Sequence, residues 1–333
     1  MSAMIQKGEK SMSTMIGLVG GASGFELVEE LHKKGYTAAL VAGENGELGT
    51  GNADYVLTTD LRNIDTIRSF FKDFGVRHLI IGTGHRYAFK LAEELEKDGI
   101  TPNVNIKASL IAKVKNDYKD LVQEKGFLSP AFFTILKKTD MPDLKVIEEK
   151  IGFPCVVKAS IDTMYPQKAN NQEELQAAIE EVLDSGSPVL IEQFIRGIDI
   201  TVPVSVANGK AKAYAVCYYS KAEECDLKGF TQEEFMKEHL SKEDEAKVLD
   251  YCERLALASE FEGLPRFDAM ALPGGDTYVL EVNSVGVTGI SEHYEPYNNA
   301  VLRPLMKKGI NLAEITVNTA LEKFGLKMNQ LRE

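Results

Sequence analysis

Arg266-Phe-Asp-Ala-Met-Ala-Leu-Pro-Gly-Gly-Asp-Thr-Tyr-Val-Leu-Glu-Val-Asn283 is the stretch on which the fold turns. Two runs rich in apolar residues flank Pro273-Gly-Gly-Asp276, a turn sequence, so the whole reads as a β-hairpin. With Gly274 and Gly275 at the turn, Asp268 faces Glu281 and Arg266 faces Asn283; a four-residue loop, Pro273 to Asp276, gives the same register. Side chains alternate along a strand, so Arg266, Asp268, Glu281 and Asn283 share one face. Phe267, Ala269, Ala271, Tyr278, Leu280 and Val282 form the other, apolar face. Two carboxylates directly opposed across strands repel. One reading is a solvated face with an Arg–carboxylate pair. The other is a cation site: Asp, Glu and Asn oxygens are hard ligands suited to Mg²⁺, and Arg266 adds a bidentate donor for a phosphate or other oxyanion.

Working outward, Lys158 ends the apolar strand Pro154 to Val157. A compact ammonium there suits a phosphate contact; an exposed surface lysine is the alternative. Lys115 is open to the same phosphate role, or, with Lys113 and Lys119, to that of a solvated helix face. Glu192-Gln-Phe-Ile195 precedes Gly197 and Asp199. A strand leaving its sheet at that point would present backbone polar groups to a purine edge, with Phe194 and Ile195 as apolar walls and Asp199 as acceptor for ribose hydroxyls. Gly20-Gly-Ala-Ser-Gly24 follows a strand and opens a helix, with Glu44 after the next strand. That placement suits a nicotinamide dinucleotide, although the glycines do not fit G-x-G-x-x-G. The same loop, through Gly21 and Ser23, would otherwise receive a substrate carboxylate or phosphate at the helix N-terminus. His85 follows Gly82-Thr-Gly84 at the end of a parallel strand, where open α/β sheets bind ligands. Ser291 and His293 lie just beyond the hairpin and are candidates to face substrate.

The 333 residues suit two or three domains. Strands alternate with helices through the first hundred residues, which predicts βαβ units and a parallel sheet. The expected organisation is α/β: a tail over 1–13, an N-terminal parallel α/β domain over 14–112, a small α+β lid over 113–199, and a C-terminal α+β domain with an antiparallel sheet over 200–333. Ile111 to Lys125 reads as one helix, Asn208-Gly209 as a hairpin turn, and Ser241-x-x-Asp244 as the cap of a following helix. Fifty acidic against 38 basic residues give a net charge of −12, which argues against broad nucleic-acid binding. No apolar run reaches the ~18–20 residues of a membrane helix. The four cysteines lack close paired spacing and fit a reduced, cytoplasmic setting.

Taken in order, Ile151-Gly-Phe-Pro-Cys-Val-Val-Lys158, Val189-Leu-Ile-Glu-Gln-Phe-Ile-Arg-Gly-Ile-Asp199, and Arg266-x-Asp268 with Tyr278-Val-Leu-Glu-Val-Asn283 resemble the ATP-grasp superfamily. The branch most similar is that of the D-alanine–D-alanine ligases, with the large subunit of carbamoyl-phosphate synthetase as a further likeness. The spacing of Ser109, Lys115, Lys119, Gly126 and Pro130 resembles the stretch bearing the family's first ATP lysine. The resemblance implies that Lys115 and Lys158 contact ATP phosphates, that Glu192, Phe194 and Ile195 hold adenine, and that Asp199 holds ribose. It implies two Mg²⁺ (or Mn²⁺) ions on Asp268, Glu281 and Asn283, with Arg266 as the catalytic charge stabiliser beside Lys158. The implied reaction is ADP-forming ligation of a small-molecule carboxylate to an amine or thiol, in a protein that is cytoplasmic, homodimeric, and free of nucleic-acid or membrane partners. A nucleotide-binding regulator that keeps the fold without ligation, and a nicotinamide-dependent oxidoreductase, are the alternatives. The chain departs from the resemblance in its flap, Ala159 to Pro166, which has no glycine, and at Phe25, where the ligases carry a substrate-binding Glu. The stiffer flap bears on water exclusion and turnover and is the main support for the regulator alternative; Phe25 points to a substrate other than D-alanine.

Overall fold

Short apolar runs, most of them followed by a helix, build the first sheet. The computed structural model describes residues 14–43, 47, 49–161, 164–218, 239–286, 305 and 307–327. The expected tail over 1–13, Glu44, Ser291 and His293 lie outside them. Strands β1 (Met15–Val19), β2 (Thr37–Ala42), β3 (Tyr55–Thr58), β4 (His78–Ile81) and β5 (Thr101–Pro102) form a parallel sheet in the order β3-β2-β1-β4-β5. Helices α1 (Gly24–Lys33), α2 (Ile64–Asp73) and α3 (Arg86–Lys97) make the connections.

This strand order reverses between β1 and β4, so the loops that follow them sit side by side at the switch point. The approach is close. A Cβ on Gly82 would lie 2.8 Å from Leu27 Cδ1, 3.0 Å from Gly20 O and 3.1 Å from Val19 O. Two of those neighbours are backbone and cannot swing away. Gly82→Ala is expected to destabilise the fold by about 1–3 kcal/mol in urea unfolding. Gly51→Ala, with nothing within 4 Å, is expected to be nearly silent.

Two short helices, α4 (Ile106–Ala112) and α5 (Lys115–Glu124), lead into the second sheet. The single helix expected over Ile111 to Lys125 is therefore broken, because Val114 is extended (φ −117°, ψ 102°) between the two. The second sheet is antiparallel, in the order β6-β9-β7-β8: β6 (Phe132–Ile135), β9 (Val189–Gln193), β7 (Cys155–Ala159) and β8 (Gln167–Ala169). Helices α6 (Leu144–Ile151) and α7 (Gln172–Asp184) cover one face, where Ile147, Leu175 and Ile179 meet Cys155, Val157, Val189 and Ile191.

The third sheet runs β11-β10-β13-β14, from β10 (Ile198–Ala207), β11 (Lys210–Ala213), β13 (Arg266–Ala271) and β14 (Thr277–Asn283), with β12 (Cys217–Tyr218) also pairing β10. The expected turn joins β10 to β11, with Asn208 (φ 49°) and Gly209 (φ 73°) both left-handed. Helix α8 (Lys242–Ala258) starts at the expected cap: the Ser241 side chain accepts from the Asp244 N–H at 3.1 Å. Its Val248, Cys252 and Leu255 join Ile200, Val202, Val204, Phe267 and Ala269 in the core. Tyr118 and Val122 of α5 lie in this same core, although the sequence grouped that segment with the lid.

A last helix, α9 (Leu312–Lys323), returns to the first sheet. Its Ala313, Val317, Ala320 and Leu321 pack with Leu27, Leu31, Ile16 and Leu18. Among the described residues no helix is long and apolar enough to cross a membrane.

Candidate active site

Alternation within the second and third sheets assigns the polar residues their side. In β7 and β9, Cys155, Val157, Ala159, Val189 and Ile191 face the helix-covered core. Val156, Lys158, Leu190 and Glu192 therefore point to the opposite face. In β10 and β13, Ile200, Val202, Phe267 and Ala269 face the core. That leaves Asp199, Thr201 and Asp268 together on the other face, with Thr201 opposite Asp268 in register.

The hairpin register is as expected at its open end: Arg266 pairs Asn283 and Asp268 pairs Glu281. It slips one residue beyond that point, where Ala269 pairs Val279 and Ala271 pairs Thr277. Phe267, Ala269, Ala271 and Val282 lie in the core as expected, but this bulge overturns the expected face at Tyr278 and Leu280. Val279 is the core residue at 1% exposure, while Tyr278 and Leu280 are only half-buried. A bulge lets a strand re-aim one side chain without losing the core on either side of it.

Asp268 is 1% exposed. It accepts from Thr201 Oγ1 at 2.6 Å and from Asn283 Nδ2 at 3.3 Å, and lies 3.5 Å from Arg266 Nε. Asn283 thus spends an amide N–H on Asp268, and its carbonyl oxygen remains as a hard donor beside two carboxylates. This donor set fits a magnesium ion in chemistry.

Glu192, fully buried, is clamped between two lysines. Lys158 Nζ is 2.8 Å from Oε2 and Lys119 Nζ is 2.7 Å from Oε1. Lys119 is 1% exposed, so it is no part of the solvated helix face that its lysine-rich surroundings suggest. Its ammonium and the Glu192 carboxylate thus form an ion pair between two buried groups. The same ammonium lies 3.5 Å from the Val279 carbonyl, and so bridges the second sheet to β14. Burial pushes the Glu192 carboxyl up, but the ammonium groups of Lys119 and Lys158 outweigh it and hold it below the ordinary glutamate value. Burial brings Lys119 down to about 8, with Glu192 opposing the shift and Lys158 adding to it.

Lys115 opens α5, where its backbone N–H donates to Ser160 O at 2.9 Å, at the base of the flap. Ser160 Oγ in turn donates to Asn116 Oδ1. Lys113 is drawn down by burial, with Glu281 opposing and Lys115 reinforcing the shift. Phe194 lies below the Lys168 ammonium, 5.6 Å from ring centroid to Nζ, and beside it Ile195 is half-buried. Asp199 is buried next to Gly197, where the chain passes from β9 into β10.

The remaining candidates divide. Ser23, Gly82, Ser284 and Val285 line one narrow cleft between the first and third sheets. Gly21 packs on Thr83, in a left-handed conformation at φ 89°. His85 is exposed, with its ring 5.4 Å from that of Tyr87. Lys119 and Thr201 are what sequence reasoning missed. The signal for Thr201 is its place opposite Asp268 once β10 and β13 are paired.

The family model described as D-ala D-ala ligase C-terminus matches residues 121–304. The D-alanine–D-alanine ligase of Pelotomaculum thermopropionicum is 26% identical over 196 residues, which cover 55% of this chain and 62% of that protein. The chain thus spans less than two thirds of that relative. Among solved structures, an ADP complex of N5-carboxyaminoimidazole ribonucleotide synthetase superposes with a TM-score of 0.73 at 12% identity, over 100% of this chain and 81% of the other. The D-alanine–D-alanine ligase from Bacillus anthracis complexed with ATP gives 0.67 at 20% identity, over 93% and 97%. These two likenesses show a shared ATP-grasp fold. The family match takes in the Lys158–Glu192 pair and the carboxylate hairpin and covers more than half of the sequence, so the chain belongs to the family of the D-alanine–D-alanine ligase C-terminus.

Proposed function

We propose that the protein is an ATP-dependent ligase that activates a carboxylate as an acyl phosphate, joins it to an amine or thiol, and releases ADP and phosphate. The observation that carries this reading is the convergence of two sites. The Lys158–Glu192 pair and the Asp268–Glu281–Asn283 hairpin meet through Lys119, which touches both Glu192 and β14.

Each residue then has a task. Glu192 accepts a hydrogen bond from the adenine amine, Phe194 and Ile195 wall the base, and Asp199 takes the ribose hydroxyls. Lys158 and Lys115 hold phosphate oxygens as compact point charges. When Lys158 turns to phosphate, Lys119 keeps Glu192 paired, so the carboxylate is never left buried without a counter-charge. Asp268, Glu281 and Asn283 would hold magnesium, two ions in the full form, to screen the polyphosphate charge. Arg266 stabilises the charge that develops on the transferring group.

Thermal unfolding with ATP, with and without Mg²⁺ and beside NADH, tests the nucleotide part. A ligand at 100 times its Kd adds about 2.7 kcal/mol. The expected rise needs ATP and Mg²⁺ together; a rise with NADH alone would overturn the reading. ADP release over a panel of carboxylates and amines, D-alanine included, tests the chemistry.

A further inference from the structure

Lys113 is a cation the reaction above leaves without a task. It caps the C-terminus of α4, where a positive charge is favourable, but its ammonium is directed inward. It makes no hydrogen bond or ion pair among the described residues; its contacts are the face of Phe89, with 5.9 Å from Nζ to the ring centroid, and the longer-range attraction of Glu281. Nζ and the carbonyl of Val285 would lie 3.3 and 3.4 Å from a Cβ placed on Gly84. Lys113 therefore sits where the loop after β4 meets the strand end that follows Asn283. In the adjoining cleft the Ser284 hydroxyl, fully buried, has no hydrogen-bond partner among the described residues. A part-buried ammonium and an unsatisfied hydroxyl flank one backbone segment, Ser284–Val285, directly after the hairpin.

We propose that Lys113 is the counter-charge that seats the carboxylate substrate where the loop after β4 meets the end of β14. The proposal rests on the ligase reading and deepens it. The acid lies at the switch point of the first sheet, and its carboxylate points toward Glu281 and the transferring phosphoryl group. Glycine at position 84 keeps the path from the loop to Nζ open, because a Cβ there would crowd the ammonium at 3.3 Å. Lys113 acts here as a binding and orienting residue, by a charge-assisted hydrogen bond to the carboxylate.

The test uses the full chain, with acetate as the probe. Stability is followed in acetate titrations of wild type, Lys113→Met and Lys107→Met, each with and without saturating MgADP. Lys107 is exposed on the same helix and serves as the control. The expected result is a half-saturating acetate concentration at least ten-fold higher in Lys113→Met than in wild type, the size of one lost charge-assisted bond, and unchanged in Lys107→Met. MgADP stabilisation in Lys113→Met should stay within about three-fold in apparent Kd, because the nucleotide contacts lie elsewhere. Equal acetate responses in wild type and Lys113→Met, or no response in wild type, would overturn the proposal. So would a loss confined to MgADP binding, which would make Lys113 a partner of Glu281 instead. Absence of any MgADP stabilisation would sink the ligase reading itself, and the nucleotide-free titration would still decide whether Lys113 binds the anion.

Discussion

Glu281→Gln is expected to fold normally and to release ADP about a thousand-fold more slowly than wild type. The substitution keeps the side chain's shape and removes one of two opposed carboxylates. Asp268 is already satisfied by Thr201, Asn283 and Arg266. Glu281 therefore supplies much of the remaining negative charge for a cation, and a metal's contribution to phosphoryl transfer is several kcal/mol, at 1.36 kcal/mol for each factor of ten. The same change should weaken Mg²⁺-dependent nucleotide binding. If wild type gains about 2.7 kcal/mol at 100 times its Kd, a ten-fold weaker site gains about 1.4 kcal/mol at the same concentration. An unchanged MgATP response in Glu281→Gln would remove the metal assignment.

The second large effect lies in stability. Glu192→Leu leaves Lys119 and Lys158 facing one another with no carboxylate between them, in a site where Lys119 is 1% exposed. Breaking a buried ion pair from one side costs about 3–5 kcal/mol, to be read as a drop in urea midpoint at constant slope. Adding Lys119→Met should return part of the loss, because the two changes share one network. A Glu192→Leu variant within about 1 kcal/mol of wild type would refute the buried clamp. The pH dependence has a definite sign. Lys119 releases its proton at about 8 when folded against 10.5 in the ordinary lysine. Between those values the unfolded chain binds more protons, so stability rises with pH across that interval. Lys119→Met should flatten the rise.

Much of this architecture was legible in the sequence because it follows from local rules. Alternation placed Asp268 opposite Glu281, and the Asn208-Gly209 turn and the Ser241 cap stand where their chemistry predicts. The bulge was not legible: Tyr278, Val279 and Leu280 are all apolar, so a slip of one residue leaves the hydrophobic pattern intact. Nor was the buried role of Lys119, which sits among lysines on a short helix. Only a contact with Glu192, far along the chain, distinguishes it from a solvated neighbour. The break at Val114 escaped for a related reason. The apolar period continues across it: α4 packs on both the first-sheet and third-sheet cores, through Ile106 and Ala108, and α5 on the latter through Tyr118 and Val122.

The return of α9 to the first sheet also bears on how the chain matures during synthesis. The buried apolar residues of the second sheet all fall between Ile135 and Ile191, so that unit can close on itself soon after they leave the ribosome. The first sheet cannot. Leu27, Leu31, Ile16 and Leu18 pack with Ala38, Leu40 and Ile80, but lack the rest of their cover until Ala313, Val317, Ala320 and Leu321 emerge. The segment made first is therefore completed last, and for most of translation it carries an uncovered apolar face that a chaperone would meet.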